Sequence, residues 1–285
     1  MKTIDNDIKT GQFKQIYLLY GEEQYLIRQY RDKLKHALAA DDDTMNFSAL
    51  SGSDINQKEI IDLAETLPFF ADRRLILIED SGLFKKSAEE LADYMSSIPE
   101  TTYFVFAEKE IDKKTKMYKQ VKKNGSIVEF PRQNETTLSR WIEGRIRRNG
   151  KNITRDAYAL FIRKTGDDME NIDKELEKLL CYTLEKDYID ISDVEAITTE
   201  QTENKIFDMI DAVALHQQKK ALDLYYELIA LKEPPMRILY MLTRQYRSLY
   251  FVKALTINKW QQKPVFRNLP YANILDRQKV FLWLS

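Results

Sequence analysis

Five short apolar runs punctuate the first 130 residues: "IYLLY" (16–20), "MNFSAL" (45–50), "RLILIE" (74–79), "TYFVFAE" (102–108) and "SIVEF" (126–130). Several are almost continuously apolar or aromatic, as strands covered on both faces are, and this predicts a parallel sheet. Between them lie amphipathic segments: "EQYLIRQYRDKLKHALA", "NQKEIIDLAET" and "SAEELADYMSS", the last with Ser87 as its predicted cap and Glu90 three residues on. Strand and helix in alternation predict an open α/β sheet.

After "EFPRQNE" the strand signal stops and everything that follows reads as helical, which puts a domain boundary near Pro131. "TTLSRWIEGRIRRNG", "TRDAYALFIRKTG" and "DMENIDKELEKLLCYTLE" predict a small helical bundle, with Gly150 and Gly166 where helices would end. The polar "ITTEQTENK" then separates it from "IFDMIDAVALHQQKKALDLYYELIALKE" and "PPMRILYMLTRQYRSLYFVKALT", where Pro234 and Pro235 mark the start of the last helix. The expected fold class is therefore α/β plus all-α, in three domains spanning 1–133, 134–203 and 204–285. The final "KWQQKPVFRNLPYANILDRQKVFLWLS" has no clear helical period, so the third domain reads as incomplete, through a truncated or shifted frame or a divergent end.

Composition narrows the chemistry. Over 285 residues, 44 basic side chains balance 45 acidic ones for a net charge of −1, which excludes a polycation that binds nucleic acid indiscriminately. One cysteine, Cys181, excludes an internal disulfide framework, and two distant histidines, His36 and His216, make a metal site unexpected. No run approaches the roughly 18 apolar residues that cross a bilayer, and "MKTIDNDIKTGQFKQ" has no signal-peptide core. The expected setting is the cytoplasm, with no membrane partner.

The stretch "YLLYGEEQYLIRQ" has the strand–glycine–helix layout that introduces a phosphate-cradling loop, without that loop's residues. Counting from Gly21 in the spacing G-x-x-x-x-G-K-[ST], the second glycine falls on Leu26, the lysine on Ile27 and the hydroxyl on Arg28. Glu22 and Glu23 stand where backbone amides would meet phosphate, and their charge opposes an anion at the helix N-terminus. The acidic end of "LILIED", Glu79 and Asp80, reads as an ordinary strand-end turn. This is a degenerate nucleotide site, expected to bind no nucleotide and to need no cofactor.

"LLYGEEQYLIRQ", "LPFFADRRLILIED", "TGDDMENIDKELEKL", "IFDMIDAVALHQQKKAL" and "ILYMLTRQYRSLY", in this order over roughly residues 14 to 255, resemble the delta subunit of bacterial DNA polymerase III. That family belongs to the clamp-loader branch of the AAA+ fold. The resemblance implies an AAA+-like α/β domain, a helical lid and a helical collar. It implies a non-catalytic subunit of a DNA-directed DNA polymerase holoenzyme, which binds and opens the sliding clamp (the beta subunit) for loading onto primed DNA without hydrolysing ATP itself. Its implied partners are the tau/gamma and delta prime subunits and primed DNA. ATPase relatives and delta prime typically carry a zinc-binding cysteine cluster, which a chain with one cysteine cannot supply.

In that family the clamp meets an apolar tip just before the third strand, and the matching residues are Leu67, Pro68, Phe69 and Phe70, set beside the lapsed loop. Composition alone fits a core segment equally well, though Pro68 ends the preceding helix and leaves the apolar residues in a loop. Arg73 and Arg74 follow, as flanks of the contact or as solvated charges. Candidate DNA contacts are Lys113, Lys114, Lys116, Lys119, Lys122 and Lys123, for which a solvated lysine-rich helix is the plainer reading, and Arg145, Arg147 and Arg148, with Arg140, which fit a domain junction as well. Arg244, Arg247 and Lys253, interleaved with Tyr246 and Tyr250, read as the outward charges of a packed helix. Two other functions fit the same chain: an AAA+-like nucleoside triphosphatase with an atypical loop, which would bind ATP, and a general DNA-binding adaptor, whose binding would fall steeply with salt.

Overall fold

The computed structural model describes residues 1–39, 43–199 and 202–257; the non-periodic C-terminal stretch noted above lies outside them. The chain divides into two units, Met1–Thr137 and Leu138–Ser285. In the first, α1 (Lys2–Thr10), β1 (Ile16–Tyr20), α2 (Gln24–Leu38), β2 (Phe47–Ser51), α3 (Gln57–Glu65), β3 (Arg74–Glu79), α4 (Glu89–Tyr94), β4 (Thr102–Glu108), α5 (Lys116–Asn124) and β5 (Ser126–Glu129) follow one another. All five strands are parallel, in the order β2-β3-β4-β1-β5.

The three central strands are buried on both faces, which is why their sequences are apolar without alternation. On one face Ile16, Leu18, Ile76, Ile78, Phe104 and Phe106 form a core with Ile60 and Ala64 of α3, Leu91 and Ala92 of α4, and Met117 and Val121 of α5. The register sets Leu18 opposite Phe106 and Ile76 opposite Phe104, so these side chains share that face. Alternate residues, Tyr17, Leu19, Leu77 and Val105, are buried too, and α2 lies against β1, β3 and β4. Each such apolar side chain contributes about 1.5–3 kcal/mol by leaving water.

Two local readings change. Ser87 does not cap α4: Ala88 holds that position, and the Ser87 hydroxyl donates to Glu89 Oε1 at 3.3 Å. The polar N-terminus forms α1, whose sequence carries too few apolar positions to show a period. It is held by fully buried Ile4, by the Tyr17 hydroxyl donating to Asp7 at 2.8 Å and by the Tyr30 hydroxyl donating to Asp5 at 2.8 Å. Burial is the main cause that pushes both phenols above their ordinary value.

The second unit comprises α6 (Glu135–Arg148), which begins just before it, β6 (Asn152–Ile153), α7 (Arg155–Thr165), α8 (Met169–Tyr182), β7 (Tyr188–Ile189), α9 (Ile191–Ile197), α10 (Thr202–Ala214), α11 (Gln218–Ala230) and α12 (Pro235–Ile257). Gly150 and Gly166, both with positive φ, follow α6 and α7 as their sequence positions predict. The expectation of helices alone is corrected by β6 and β7, a two-stranded parallel pair. Two-residue strands carry no readable period. Beside them Lys151 is buried, its ammonium donating to the carbonyls of Thr183, Leu184 and Lys186 past the end of α8. The long segment from Ile206 breaks at His216, which takes a left-handed conformation between α10 and α11. A separate cluster, Ile206, Met209, Ile210, Leu228 and Ile238, joins α10, α11 and α12.

Candidate protein-docking site and the crevice across the sheet

The α3–β3 connection exposes what its neighbours bury. Within α3, Ile60 and Ala64 are almost wholly enclosed; three residues after Ala64 the chain turns outward, and Leu67 is 75%, Phe69 57% and Phe70 95% exposed. The helix stops at Glu65 with Thr66 already extended, ahead of Pro68. The two phenylalanine rings pack edge to face, 4.5 Å between centroids. Phe70 sits at φ 50, a left-handed conformation that costs a bulky residue roughly 1 kcal/mol or more.

The loop is pinned from the residue just before β2. Asn46, 2% exposed, accepts the Phe69 amide at 2.6 Å on its side-chain oxygen and donates its side-chain nitrogen to the Phe69 carbonyl at 2.9 Å. Asn46 and its neighbour Met45, 63% exposed, were not singled out by the sequence reading. The one sequence signal was a polar residue inside the apolar run "MNFSAL". The arginines behave differently from either expectation. Arg74 is buried, its guanidinium donating to the Met45 carbonyl at 3.3 Å, and Arg73 stacks over Phe13 and Tyr103 at 5.1 and 5.4 Å.

The lapsed nucleotide loop is not beside this tip. The tip precedes the first residue of β3, whereas Gly21 follows the last residue of β1, so in a parallel sheet they occupy opposite ends. Only three residues, Gly21 to Glu23, join β1 to α2. Gly21 has φ 135, and a Cβ there would lie 2.3 Å from the Phe130 carbonyl oxygen. The Glu23 amide donates to that same oxygen at 3.0 Å and the Gln24 amide to the Glu22 carbonyl at 3.1 Å, so amides that would cradle phosphate are engaged. Leu26 and Ile27 are buried, while Glu22 and Arg28 are exposed.

The carboxylates at this end are occupied in the same way. Glu79 meets Arg31 at 2.5 Å and Asp80 meets Lys109 at 2.7 Å. Glu129 accepts from the Tyr20 hydroxyl at 2.7 Å with Lys113 at 3.3 Å, and these donors, Tyr20 first, hold its carboxyl below the usual range. Glu108 is buried at the end of β4 and accepts from the Ser81 hydroxyl and amide and the Gly82 amide. Burial outweighs those donors and pushes its carboxyl up.

The basic candidates fall into two sets, one in each unit. On α5, Lys116, Lys119, Lys122 and Lys123 are exposed while Met117 and Val121 are buried, so the lysines line the outer face. Lys113 and Lys114 precede the helix in an exposed turn, and Lys116 pairs with Asp93 at 2.6 Å. On α6, Arg145 pairs with Asp173 at 3.0 Å and lies over Trp141, and Arg148 donates to the Gly144 carbonyl at 3.1 Å. Arg147, paired with Glu143 at 3.5 Å, joins Arg155 and Tyr158 around an open cleft of about 300 Å³. Among the described residues no group of three or more acidic, histidine or cysteine side chains could hold a metal ion, and no helix is long and apolar enough to cross a membrane.

Residues 17–131 match the family described as DNA polymerase III, delta subunit, and residues 203–273 match DNA polymerase III delta subunit, C-terminal domain. DNA polymerase III subunit delta of Bacillus subtilis (strain 168) is 25% identical over 276 residues, 92% of this chain and 79% of the relative. Probable DNA polymerase III subunit delta of Aquifex aeolicus (strain VF5) is 26% identical over 255 residues, 85% of this chain and 71% of the relative. The solved Bacillus subtilis DNA clamp loader delta protein shares the fold with a TM-score of 0.69 and 21% identity, covering 99% of this chain and 90% of its own.

Proposed function

Because this chain belongs to the DNA polymerase III delta-subunit family, we propose that it acts by docking: Leu67, Pro68, Phe69 and Phe70 grip the sliding clamp and open it for loading onto primed DNA. The observation that carries this reading is the tip itself. Three large apolar side chains stand in water, one of them on a left-handed backbone, just after a helix that encloses its own Ile60 and Ala64. Clustered aromatic and aliphatic anchors of this kind fill pockets on partners. A tip that binds the sprung clamp interface more tightly than the closed one would open the ring by that difference in affinity.

Turnover has no part in the proposal. The engaged amides around Gly21 and the internally paired carboxylates support a chain that neither holds nor hydrolyses ATP. Energy for loading would come from other subunits, tau/gamma, with delta prime and this chain completing the loader in the cytoplasm. We propose three domains for this work: an AAA+-like domain over 1–133, a lid over 134–203 and a collar over 204–285. Lys113, Lys114, the exposed lysines of α5, and Arg145, Arg147 and Arg148 of α6 are its proposed DNA-facing charges.

The test is co-purification with the organism's sliding clamp, with and without Leu67→Ala and Phe70→Ala. Retention by the native chain and loss by the variant, at unchanged melting temperature, is the expected result; a variant that still binds the clamp overturns the reading. Titration with ATP and magnesium separates the triphosphatase reading, which requires saturable binding where docking expects none.

A further inference from the structure

We propose that Asn46 is the positioning residue of the apolar tip: its side-chain amide fixes the Phe69 peptide and thereby sets how Phe69 and Phe70 are presented. This rests on the docking function proposed above. A loop whose side chains face water has little packing to hold it, so its shape must come from backbone contacts. Here they come from one side chain just before β2. Asn46 accepts the Phe69 amide and returns a bond to the Phe69 carbonyl, at 2.6 and 2.9 Å, across a sequence separation of 23 residues.

The amide is itself clamped. Its nitrogen also donates to both oxygens of Asp43, at 2.8 and 3.0 Å, while the Asn46 and Met45 backbone amides donate to Asp43 at 2.8 and 3.2 Å. The Asn46 carbonyl accepts from Leu75 at 2.8 Å, tying the same residue into the start of β3. With two donor hydrogens and one acceptor oxygen all used, the side chain has one orientation. Of the natural residues only asparagine reaches both the backbone N–H and the backbone C=O of one residue with this length and this donor–acceptor pair. Aspartate would present a second carboxylate to Asp43 and lose the bond to the Phe69 carbonyl. The strained Phe70 follows directly, so freeing the Phe69 peptide would let φ at Phe70 relax and the two rings separate.

The experiment uses the full chain with Asn46→Ala and Asn46→Asp, read by amide hydrogen exchange and by affinity for the organism's sliding clamp. We expect exchange at Phe69 to rise about tenfold or more while amides of β3 and β4 stay protected, and clamp affinity to fall about tenfold. In a Phe70→Ala background the same Asn46 change should cost only about twofold, because the two act through one element. Unchanged exchange at Phe69 overturns the positioning role by itself, whatever the clamp does. Faster exchange with unchanged affinity, or a full loss repeated in the Phe70→Ala background, overturns its link to docking. If Phe70→Ala alone leaves affinity intact, the docking function fails, while exchange at Phe69 still decides by itself whether Asn46 holds the tip.

Discussion

At the carboxyl end of the sheet, Glu79, Asp80, Glu108 and Glu129 meet Arg31, Lys109, Ser81 and Tyr20 of their own chain. At the amino end of β3, Leu67, Phe69 and Phe70 stand in water with the left-handed Phe70 at their tip. Open α/β sheets commonly bind ligands outside the carboxyl ends of their strands. Here the carboxylates of that end have internal partners, and the opposite end leaves an apolar cluster in water. A buried or paired polar group gains little from a ligand, whereas an exposed apolar cluster on strained backbone gains much from being covered. The proposed move from turnover to docking is, in physical terms, a change in which end of the sheet is left unfinished.

The sharpest way to break this contrast is to remove the tip. Leu67→Ala with Phe70→Ala should lower clamp affinity by at least about a hundredfold, roughly 3 kcal/mol, as truncated anchors do at interfaces. Melting temperature should hold or rise slightly, because the deleted groups are exposed. A large fall in melting temperature with the loss would mean that the tip packs within its own unit. The other end should respond the opposite way. Gly21→Ala puts a Cβ against the Phe130 carbonyl at a φ that side chains avoid, and should cost about 2–4 kcal/mol of stability by denaturant unfolding. At temperatures where that variant stays folded, clamp affinity should be unchanged.

A finer test lies within the closed end, where two carboxyls are perturbed in opposite directions. Burial raises Glu108 above its ordinary 4.5. Its contribution to stability is therefore full below 4.5 and is lost as pH rises through the raised value. The hydrogen bond from Tyr20, then Lys113, lowers Glu129 below 4.5. That contribution is present above 4.5 and is lost as pH falls through the lowered value. Melting curves of Glu108→Gln and Glu129→Gln against the native chain, from about pH 3 to 8, should give difference profiles of opposite slope. Parallel profiles would mean that the two groups do not sit in the environments described.

How legible all this was depends on the scale of each signal. The central strands could be read from sequence because burial on both faces writes itself as "IYLLY", "RLILIE" and "TYFVFAE" without a break. The edge strand slipped by two residues: "MNFSAL" begins at Met45, but pairing begins at Phe47, since Met45 and Asn46 lead into the strand at the loop's end of the sheet. Helix α1 was missed because its hold is one isoleucine and two aspartates meeting tyrosines, which no periodicity reports. The tip residues could be named from the family resemblance, with Pro68 placing them in a loop, but the residues alone did not give their exposure, because a core loop has the same composition. Asn46 was beyond reach: its partner lies 23 residues away, and a lone asparagine in an apolar run does not say which peptide it will hold.

The smallest expected effect separates strain from contact. Phe70→Gly and Phe70→Ala both delete the ring, and both should weaken clamp binding to a similar extent. They differ in backbone. At φ 50 alanine keeps the left-handed penalty, while glycine is free of it and gives back part of the gain through its more flexible unfolded chain. The glycine variant should therefore be the more stable of the two, by up to about 1 kcal/mol in chemical denaturation. Such a result would mean that the loop is held away from its relaxed geometry at Phe70, a cost set by the bonds that fix Phe69 to Asn46. Equal stabilities would remove strain from the account and leave exposure as the only mark of the tip.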